Sequence, residues 1–357
     1  MLYAISLFGL IFGIQRLRSD RAGKKNMSID ELTVVIPFRN EANNLNALFN
    51  CIRSQRYQPI QWIFVNDHSN DEFLPLFAAM SAFPVRLLHL PEDQRGKKRA
   101  IRFGIDHVTT DYCLTMDADV VFEKAYIQSM LVLPAADLVI LPVEMTSTRW
   151  WHPFFSLEYL FTVALNRGVA GWSRPVNCSG ANLLFNIASF DEVDDIEEHD
   201  HVLSGDDMYT LRAFREANKT IEIVELEASK VSTPTPNSIA EVMDQRVRWM
   251  GKSNHVGDQL NNFLGVWAVL LHMAYFFLVL VTWFAGAFWF TIALVVLKSI
   301  VDCSLIKTIQ PKWTTSITVG LVLFELFYPI YLFALLCSAM ISQPDWKGRG
   351  VNSSEEK

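Results

Sequence analysis

The chain has 357 residues, 51% of them hydrophobic and 12% aromatic, and its mean hydropathy is +0.19, which is high for a soluble protein. This length accommodates one large soluble domain together with apolar segments. The 31 basic residues are outnumbered by 38 acidic ones, so the chain lacks the basic surface of a nucleic-acid-binding protein. The five cysteines form no C-x-x-C pair, which is typical of reduced thiols in a cytosol-facing protein rather than of a disulfide framework.

The first predicted element is an apolar N-terminal run, residues 2–14, which is short for a membrane span. Five basic residues follow it between positions 16 and 25, as the positive-inside rule expects on the cytoplasmic side. A cleaved signal peptide would carry its basic residues before the apolar stretch. We therefore predict a retained membrane anchor over residues 1–16.

Residues 32–255 alternate strand and helix signals. The pattern predicts strands at Leu32–Pro37, Gln61–Val65, Val85–Leu90 and Tyr112–Met116, and helices at Glu41–Arg53, Phe73–Ala82 and Lys97–His107. This order indicates βαβ units and a mostly parallel sheet, whose ligand crevice lies beyond the carboxyl ends of the strands. Neither G-x-G-x-x-G nor a P-loop is present, which disfavours a dehydrogenase-type dinucleotide domain and a P-loop nucleotidase.

Residues 115–120 read T-M-D-A-D-V and place Asp117 and Asp119 at the end of an apolar run. Two ionised carboxylates cannot share a dry site by themselves. They can coexist when Mg²⁺ or Mn²⁺ lies between them and a phosphate group. The alternative is a solvated turn after the strand, because D-x-D alone is frequent by chance.

The D-x-D stretch belongs to an ordered series of motifs. The series is VVIPFRNE (34–41), VNDHSND (65–71), GKKRAIRFGID (96–106), DYCLTMDADV (111–120), CSGANLLF (178–185), SGDDMYTLRAF (204–214) and QRVRW (245–249). Over residues 32–255 it resembles family 2 glycosyltransferases, and the resemblance implies the α/β GT-A fold, a Rossmann-like, mostly parallel sheet. With apolar segments on both sides, the chain further resembles the membrane-bound branch, which includes ceramide glucosyltransferases and processive polysaccharide synthases.

The resemblance implies donor-binding residues at the strand ends. The residues expected to bind the nucleobase and ribose of a sugar nucleotide are Pro37, Arg39, Glu41, Asn66 and Asp67. Lys97 and Lys98 are expected near the nucleotide. Asp119 and Asp117 are expected to bind the metal. The family usually has an Asp-Asp pair where this chain has Asn66, so Asp67 is the favoured base contact. Asp119 is the favoured direct metal ligand, with Asp117 beside it.

Inverting transfer also needs a carboxylate that takes the proton from the acceptor hydroxyl. The family places it in an acidic pair before a helix, here Asp206 and Asp207, of which we favour Asp207. The alternative is that both acids only stabilise a helix N-terminus. The segment with Gly180, Ala181 and Asn182 is expected to line the acceptor side.

Gln245, Arg248 and Trp249 in QRVRW share one helix face by their spacing. A planar guanidinium can bind a departing diphosphate in bidentate fashion, and an indole offers a flat face to a sugar or acceptor. The alternative is an interfacial amphipathic helix with a snorkelling Arg and a membrane-level Trp.

The aromatic stretch 149–172 is too polar to span a membrane, and we predict a helix in the membrane interface that brings a lipid acceptor to the site. A buried core helix is the alternative. His199, Asp200 and His201 look like a metal cluster, but a polar loop is the favoured interpretation.

Residues 262–341 predict about three transmembrane helices, followed by a polar tail, 342–357. If the N-terminal run also spans the membrane, three C-terminal spans place the tail on the opposite side of the membrane from the 32–255 domain. Residues 345–349, however, resemble a W-K-G-R segment that relatives keep in the cytosol, and Lys307 and Lys312 also favour a cytosolic loop. One apolar run is therefore expected to be re-entrant or interfacial.

These observations predict a metal-dependent, inverting glycosyltransferase of hexosyltransferase type in the cell (inner) membrane, with its catalytic domain facing the cytoplasm. It would move a sugar from a nucleotide-sugar donor, most commonly a UDP-sugar in the family, to a lipid acceptor. The alternatives are a processive synthase that extends a glycan and a catalytically inert membrane scaffold. No nucleic-acid partner is expected.

Overall fold

The computed structural model of the chain describes residues 1–19, 28, 31–194, 205–341, 345–346 and 349–350. The chain divides into two compact units, each discontinuous in sequence. We call them the helical unit, which is Met1–Ala22, Met145–Asn177 and Thr235–Ser342, and the sheet unit, which is Gly23–Glu144, Cys178–Pro234 and Gln343–Lys357.

The secondary structure alternates strands and short helices in the sheet unit and has long helices in the helical unit. The helices are α1 Leu2–Ser19, α2 Ala42–Ser54, α3 Leu74–Ala78, α4 Lys97–Ile105, α5 Tyr126–Ser129, α6 His152–Trp172, α7 Ile187–Val193, α8 Asp206–Glu216, α9 Ile239–Val256, α10 Gln259–Phe284, α11 Phe288–Ile309 and α12 Thr315–Ile341. The strands are β1 Leu32–Phe38, β2 Gln61–Asn66, β3 Val85–His89, β4 Tyr112–Met116, β5 Val121–Phe122, β6 Leu138–Ile140, β7 Val143–Thr146, β8 Asn182–Asn186, β9 Ile221–Ile223, β10 Val231–Pro234, β11 Asp345–Trp346 and β12 Arg349–Gly350.

The main sheet has seven strands in the order β3-β2-β1-β4-β8-β6-β9. Strands β3, β2, β1 and β4 run parallel, and β8 is antiparallel to both of its neighbours. The predicted mostly parallel α/β sheet is confirmed, as are its first four strands. The predicted helix after β2 is shorter than expected and ends at Ala78. Residues 79–84 form turns and bends before β3 begins at Val85.

The core of the sheet unit lies on both faces of its central strands. All residues of β1 and β4 are buried, which explains why both strands are continuous apolar runs rather than alternating ones. Helix α4 packs directly on this sheet, since a Cβ at Gly104 would lie 2.5 Å from Val35 Cγ1. This close approach brings the N-terminus of α4, with Lys97, to the carboxyl edge of β1 and β4.

The helical unit contains α10, α11 and α12, three helices long and apolar enough to cross a membrane, as predicted. Helix α1 packs along α6 through glycines: a Cβ at Gly13 would lie 2.0 Å from the carbonyl oxygen of Gly168. Helix α6 also packs on α12 and buries residues such as Leu157 and Ala164. The packing of α6 fits the core-helix alternative, and its location in a membrane interface stays a prediction.

A polar cluster links α1, α11 and α12 within the helical unit. Lys298 Nζ lies 2.6 Å from Asp302 Oδ2 and 2.9 Å from Glu325 Oε2, and Tyr3 donates its hydroxyl to Asp302 Oδ1 at 2.5 Å. The three charged side chains are buried or nearly so. Charges among apolar helices persist only when they are paired, so these contacts hold the three helices together.

Several predictions fall outside the described residues. These are the His199–His201 cluster, the basic residues beyond Ser19 and most of the C-terminal tail. Within the tail, β11 and β12 pair in antiparallel fashion. The side of the membrane that the tail occupies stays a prediction.

Candidate active site

The D-x-D stretch follows β4 directly, at the carboxyl edge of the sheet. Ala118 and Val120 are buried, whereas Asp117 and Asp119 are partly exposed. Thr233 Oγ1, from β10, lies 3.5 Å from Asp119 Oδ2. The strand end therefore presents two carboxylates beyond the sheet, as the pattern predicted.

Lys97 is the first residue of α4 and lies between the two acidic motifs of the sheet unit. Its Nζ lies 2.7 Å from Asp117 Oδ1 and 3.7 Å from Asp206 Oδ2. Burial lowers the pKa of Lys97, but the nearby carboxylates of Asp117, Asp206 and Asp207 outweigh burial and hold that pKa above its ordinary value. Lys97 is therefore a permanent ammonium group at this edge of the sheet.

The acidic pair begins α8, directly after Gly205, whose φ of +91° is suited to glycine. Asp207 is 9% exposed and accepts the backbone N–H of Gly180 at 3.2 Å and that of Met208 at 2.9 Å. The position at the helix N-terminus favours both negative charges, as the alternative interpretation requires. The structure in addition brings the pair to Lys97, which that interpretation does not predict.

Gly180 lies against both acidic residues in the turn before β8. A Cβ at this position would lie 2.9 Å from Asp206 Oδ2 and 3.5 Å from Lys97 Nζ. The Cys178 thiol, two residues earlier, donates to the carbonyl of Asp207 at 3.1 Å. The turn therefore approaches the N-terminus of α8 as closely as a glycine permits.

Asn182, predicted to line the acceptor side, is a buried residue at the start of β8. Its side chain has no exposed surface, and it accepts the Tyr126 hydroxyl at 2.6 Å. Its amide donates to the carbonyls of Pro142 and Ser229, both at 2.9 Å. The side chain thus joins β8 to two neighbouring loops. Ala181 is also buried.

The turn after β2 is built around Asp67, which is 1% exposed. Its Oδ2 accepts the backbone N–H of Gly96 at 3.1 Å, and its Oδ1 lies 3.1 Å from His68 Nδ1. The side chain of Asn66 accepts the Ser69 N–H at 2.9 Å and donates to His89 Nδ1 at 3.1 Å. These contacts shape the turn and join it to the start of α4.

The remaining predicted nucleotide residues lie around the same turn. Arg39 Nη1 donates to the carbonyls of Asp67 and His68, both at 2.9 Å. Glu41 precedes α2 and accepts the side-chain amide of Asn44 at 2.6 Å, while Pro37 is a buried residue of β1. Arg39 therefore holds the turn by its backbone carbonyls.

Lys98 follows Lys97 in α4 and contacts α8. It is buried, and its Nζ lies 4.2 Å from the centre of the Tyr209 ring of α8. This cation–π contact joins α4 to α8. A cavity of about 50 Å³ beside it is lined by Asp206, Asp207 and apolar side chains that include Leu183 and Phe185.

Gln245, Arg248 and Trp249 lie on α9 in the helical unit. The sequence does not single out Arg246, whose guanidinium is nevertheless the buried charge of this stretch. It forms an ion pair with Glu158 of α6, in which Arg246 Nη2 lies 2.8 Å from Glu158 Oε2. No spacing rule relates two residues so far apart in the chain, so this pair could not be predicted.

Residues 33–182 match the family model described as Glycosyl transferase family 2. The match covers less than half of the chain, and it assigns residues 33–182 to a family 2 glycosyltransferase domain. The matched region contains β1 to β4, Lys97, the D-x-D stretch and Gly180. It ends before the acidic pair and QRVRW, so these two motifs rest on the structure and on the resemblance of the motif series.

Two similar proteins are glycosyltransferases by name. The glycosyltransferase GlyA of Streptococcus pneumoniae is 27% identical over 101 residues, 28% of this chain and 14% of that protein. A 4,4'-diaponeurosporenoate glycosyltransferase of Staphylococcus aureus is 29% identical over 150 residues, 40% of each protein. The chain thus matches less than half the length of either relative.

The solved mannosyltransferase PcManGT of Pyrobaculum calidifontis, in complex with GDP-Man and Mn²⁺, resembles this chain in fold. The TM-score is 0.54 at 14% identity, over 95% of this chain and 98% of the other. At this identity the likeness shows the fold alone, which confirms the GT-A prediction.

The residues of this family 2 domain fit a divalent cation of the predicted kind. Asp117 and Asp119 offer carboxylate oxygens, the ligands that Mg²⁺ and Mn²⁺ prefer. Among the described residues, no three His, Cys, Asp or Glu side chains form a group that would hold a metal. A cation here would therefore complete its coordination with substrate phosphates and water, as Mg²⁺ usually does.

Proposed function

We propose that the chain is a membrane-bound, inverting glycosyltransferase that moves a sugar from a nucleotide-sugar donor to a lipid acceptor. The observation that carries this proposal is the position of Lys97 Nζ, 2.7 Å from Asp117 Oδ1 and 3.7 Å from Asp206 Oδ2. One cation and two acidic motifs thus meet at the edge of the sheet where α/β folds bind ligands. These are the charges that a diphosphate donor and a proton-accepting base require.

Lys97 is the side chain that we assign to the donor diphosphate, because an ammonium group binds phosphate as a point charge. Asp117 and Asp119 would hold Mg²⁺ or Mn²⁺, whose chemistry would be to offset the negative charge of the diphosphate. The nucleoside is assigned to the turns around Arg39, Glu41, Asn66 and Asp67, with Asp67 as the favoured base contact. A UDP-sugar is the first choice of donor.

Asp207 is the proposed general base. In inverting transfer the acceptor oxygen bonds to the anomeric carbon while the bond from that carbon to the phosphate oxygen breaks. The acceptor proton passes to the carboxylate, and the nucleoside diphosphate departs with the bonding electrons. The N–H groups of Gly180 and Met208 hold the Asp207 carboxylate in one orientation, as a base must be held. Gln245, Arg248 and Trp249 are assigned to the departing diphosphate and the acceptor.

The lipid acceptor is proposed from the helical unit. Three helices that can cross a membrane would keep the enzyme at the surface where lipid acceptors lie. Arg16 and Arg18 at the end of α1 favour a cytoplasmic position of the sheet unit in a cell (inner) membrane. Synthesis of a glycan by processive transfer is the alternative that the same groups could perform, and product length separates the two.

The test is sugar transfer by membranes that carry the protein, with Mn²⁺ or Mg²⁺. UDP-sugars and GDP-sugars are offered together with extracted lipids, the GDP-sugars because PcManGT was solved with GDP-Man. We expect one glycolipid product, with release of the nucleoside diphosphate that requires the metal.

The control is Asp207→Asn, which keeps the shape of the side chain but removes the base. We expect transfer to fall roughly 100-fold or more, since a general base contributes about that factor. A long product would instead support a processive synthase. Absence of donor turnover and of UDP binding would support the inert scaffold.

A further inference from the structure

Arg246 lies inside QRVRW, between the residues assigned to the diphosphate and acceptor, and it is only 3% exposed. Its Nε and Nη2 both lie 2.8 Å from Glu158 Oε2 of α6. The other oxygen of that carboxylate, Oε1, accepts the hydroxyl of Tyr331 of α12 at 3.1 Å. One buried ion pair therefore joins three helices of the helical unit.

The same guanidinium contacts two of the three predicted site residues on α9. Its Nη1 donates a short hydrogen bond to Gln245 Oε1. Its central carbon lies 4.3 Å from the centre of the Trp249 ring, and the ring of Tyr159 lies 6.0 Å from that ring. Arg246 is thus in contact with the side chains that flank it at positions i−1 and i+3.

These contacts determine how the site residues are presented. When Gln245 Oε1 accepts from Arg246, the amide NH₂ group remains as the donor end of the side chain. A guanidinium near an indole face restricts the ring by a cation–π contact. A buried guanidinium is stable only while its carboxylate partner is present, so Glu158 controls both effects.

We propose that Arg246, held by Glu158 and Tyr331, is a positioning residue that fixes the side chains of Gln245 and Trp249 for transfer. This inference rests on the proposed function for those two residues. Arg246 would act through them and contact neither donor nor acceptor. The pair would also tie the geometry of α9 to α6 and to the membrane helix α12.

The first experiment observes Trp249 directly and needs no activity. The protein is labelled with 5-fluorotryptophan, and the ¹⁹F resonance of Trp249 is assigned by its loss in Trp249→Phe. We expect that resonance to shift or broaden in Arg246→Lys, which keeps the charge but not the planar fork, and in Glu158→Gln. Tyr331→Phe, which removes one hydroxyl, should give a smaller change in the same direction and is the variant that retains the fold most safely.

The matched control is Arg174→Lys, because Arg174 pairs with a different buried acid of the same unit: its Nη2 lies 3.5 Å from Asp258 Oδ1. Its Trp249 resonance should be unchanged. An unaltered Trp249 resonance in both Arg246→Lys and Glu158→Gln would overturn the proposal. This readout is independent of turnover, so its failure is distinguishable from a failure of the proposed function.

The second experiment measures transfer in a double-mutant cycle. Arg246→Lys should lower kcat roughly 10- to 100-fold, the size expected from misplaced groups, with the KM for donor changed less. In a Trp249→Phe background the same substitution should cost much less, because the residue through which it acts has already been altered. An equal loss in both backgrounds would mean that Arg246 only supports the fold and would contradict the positioning role.

Discussion

Lys97 joins the D-x-D stretch to the acidic pair, which are far apart in the chain. The ammonium group stabilises three carboxylates that would otherwise repel one another at the sheet edge. Because the pKa of Lys97 is raised in the folded state, its contribution to stability is complete below its ordinary pKa of about 10.4 and is lost only as the pH rises through the folded value.

We therefore expect Lys97→Met to weaken UDP-sugar binding by about 10- to 100-fold, the loss typical of one charge-assisted hydrogen bond. The difference in thermal midpoint between wild type and Lys97→Met should be constant from about pH 6 to pH 9. Lys97→Arg, which retains the charge, should keep more of the binding. A midpoint difference that changes across this range would contradict a permanent ammonium group.

Gly180 is required for the close approach of its turn to Asp206. In Gly180→Ala the new Cβ would lie 2.9 Å from Asp206 Oδ2, so the carboxylate must shift from its present position 3.7 Å from Lys97 Nζ. We expect kcat for transfer to fall about tenfold or more, because the rate is sensitive to small displacements of a catalytic group. The thermal midpoint should change little. Gly265→Ala, at a position with nothing within 4 Å, is the control and should leave kcat unchanged.

Among the elements, α1 is a helix that the sequence predicts, whereas its packing against α6 is seen only in the structure. The apolar N-terminal run correctly predicts a helix, but the helix is not one of the three that qualify as membrane spans. It docks on α6 through Gly13, Gly168 and Gly171, with Trp172 Nε1 donating to the carbonyl of Gly9 at 2.8 Å. Glycines at these positions allow the two backbones to touch.

Gly171→Val tests this contact, because a Cβ at Gly171 would lie 1.8 Å from the carbonyl oxygen of Gly13. Neither backbone can yield without separating the helices, so we expect a loss of about 1–3 kcal/mol of stability, as for overpacked cores. The thermal midpoint in detergent measures it. Gly9→Ala, with nothing within 4 Å, should have the wild-type midpoint, and equal midpoints for both variants would show that α1 is not docked in this way.

At the scale of the whole molecule, the ion pairs of Lys298 with Asp302 and Glu325 join α11 to α12. They add a charged contact between two helices that are otherwise largely apolar. Two carboxylates share one ammonium group. Substitutions that remove the charge of Lys298, Asp302 or Glu325 should therefore differ in their cost in stability. Removing Lys298 leaves two buried carboxylates side by side, whereas removing one acid leaves a balanced pair.

We expect Lys298→Met to lower the thermal midpoint in detergent most, with a cost of about 3–5 kcal/mol, the range for breaking a buried ion pair. Asp302→Asn should cost less, because Lys298 keeps Glu325 as its partner. Lys307→Met, a lysine near the end of α11, is a control outside the cluster and should behave as wild type. The same loss in Lys298→Met and Asp302→Asn would contradict this charge balance.

The sequence by itself determined the features that depend on neighbouring residues. Continuous apolar runs predicted β1 and β4 because central parallel strands are buried on both faces, and long uncharged runs predicted α10 to α12 because a membrane requires that length. The ordered motifs then predicted the family and the position of Asp117 and Asp119 at a strand end.

Only the tertiary structure decided which of these residues meet. The contacts of Lys97 with Asp117 and Asp206, the burial of Asn182 and the pairing of Arg246 with Glu158 depend on strand order and helix packing. Local spacing in the sequence does not predict these contacts, because each depends on how two segments that are remote in the chain pack against the same core.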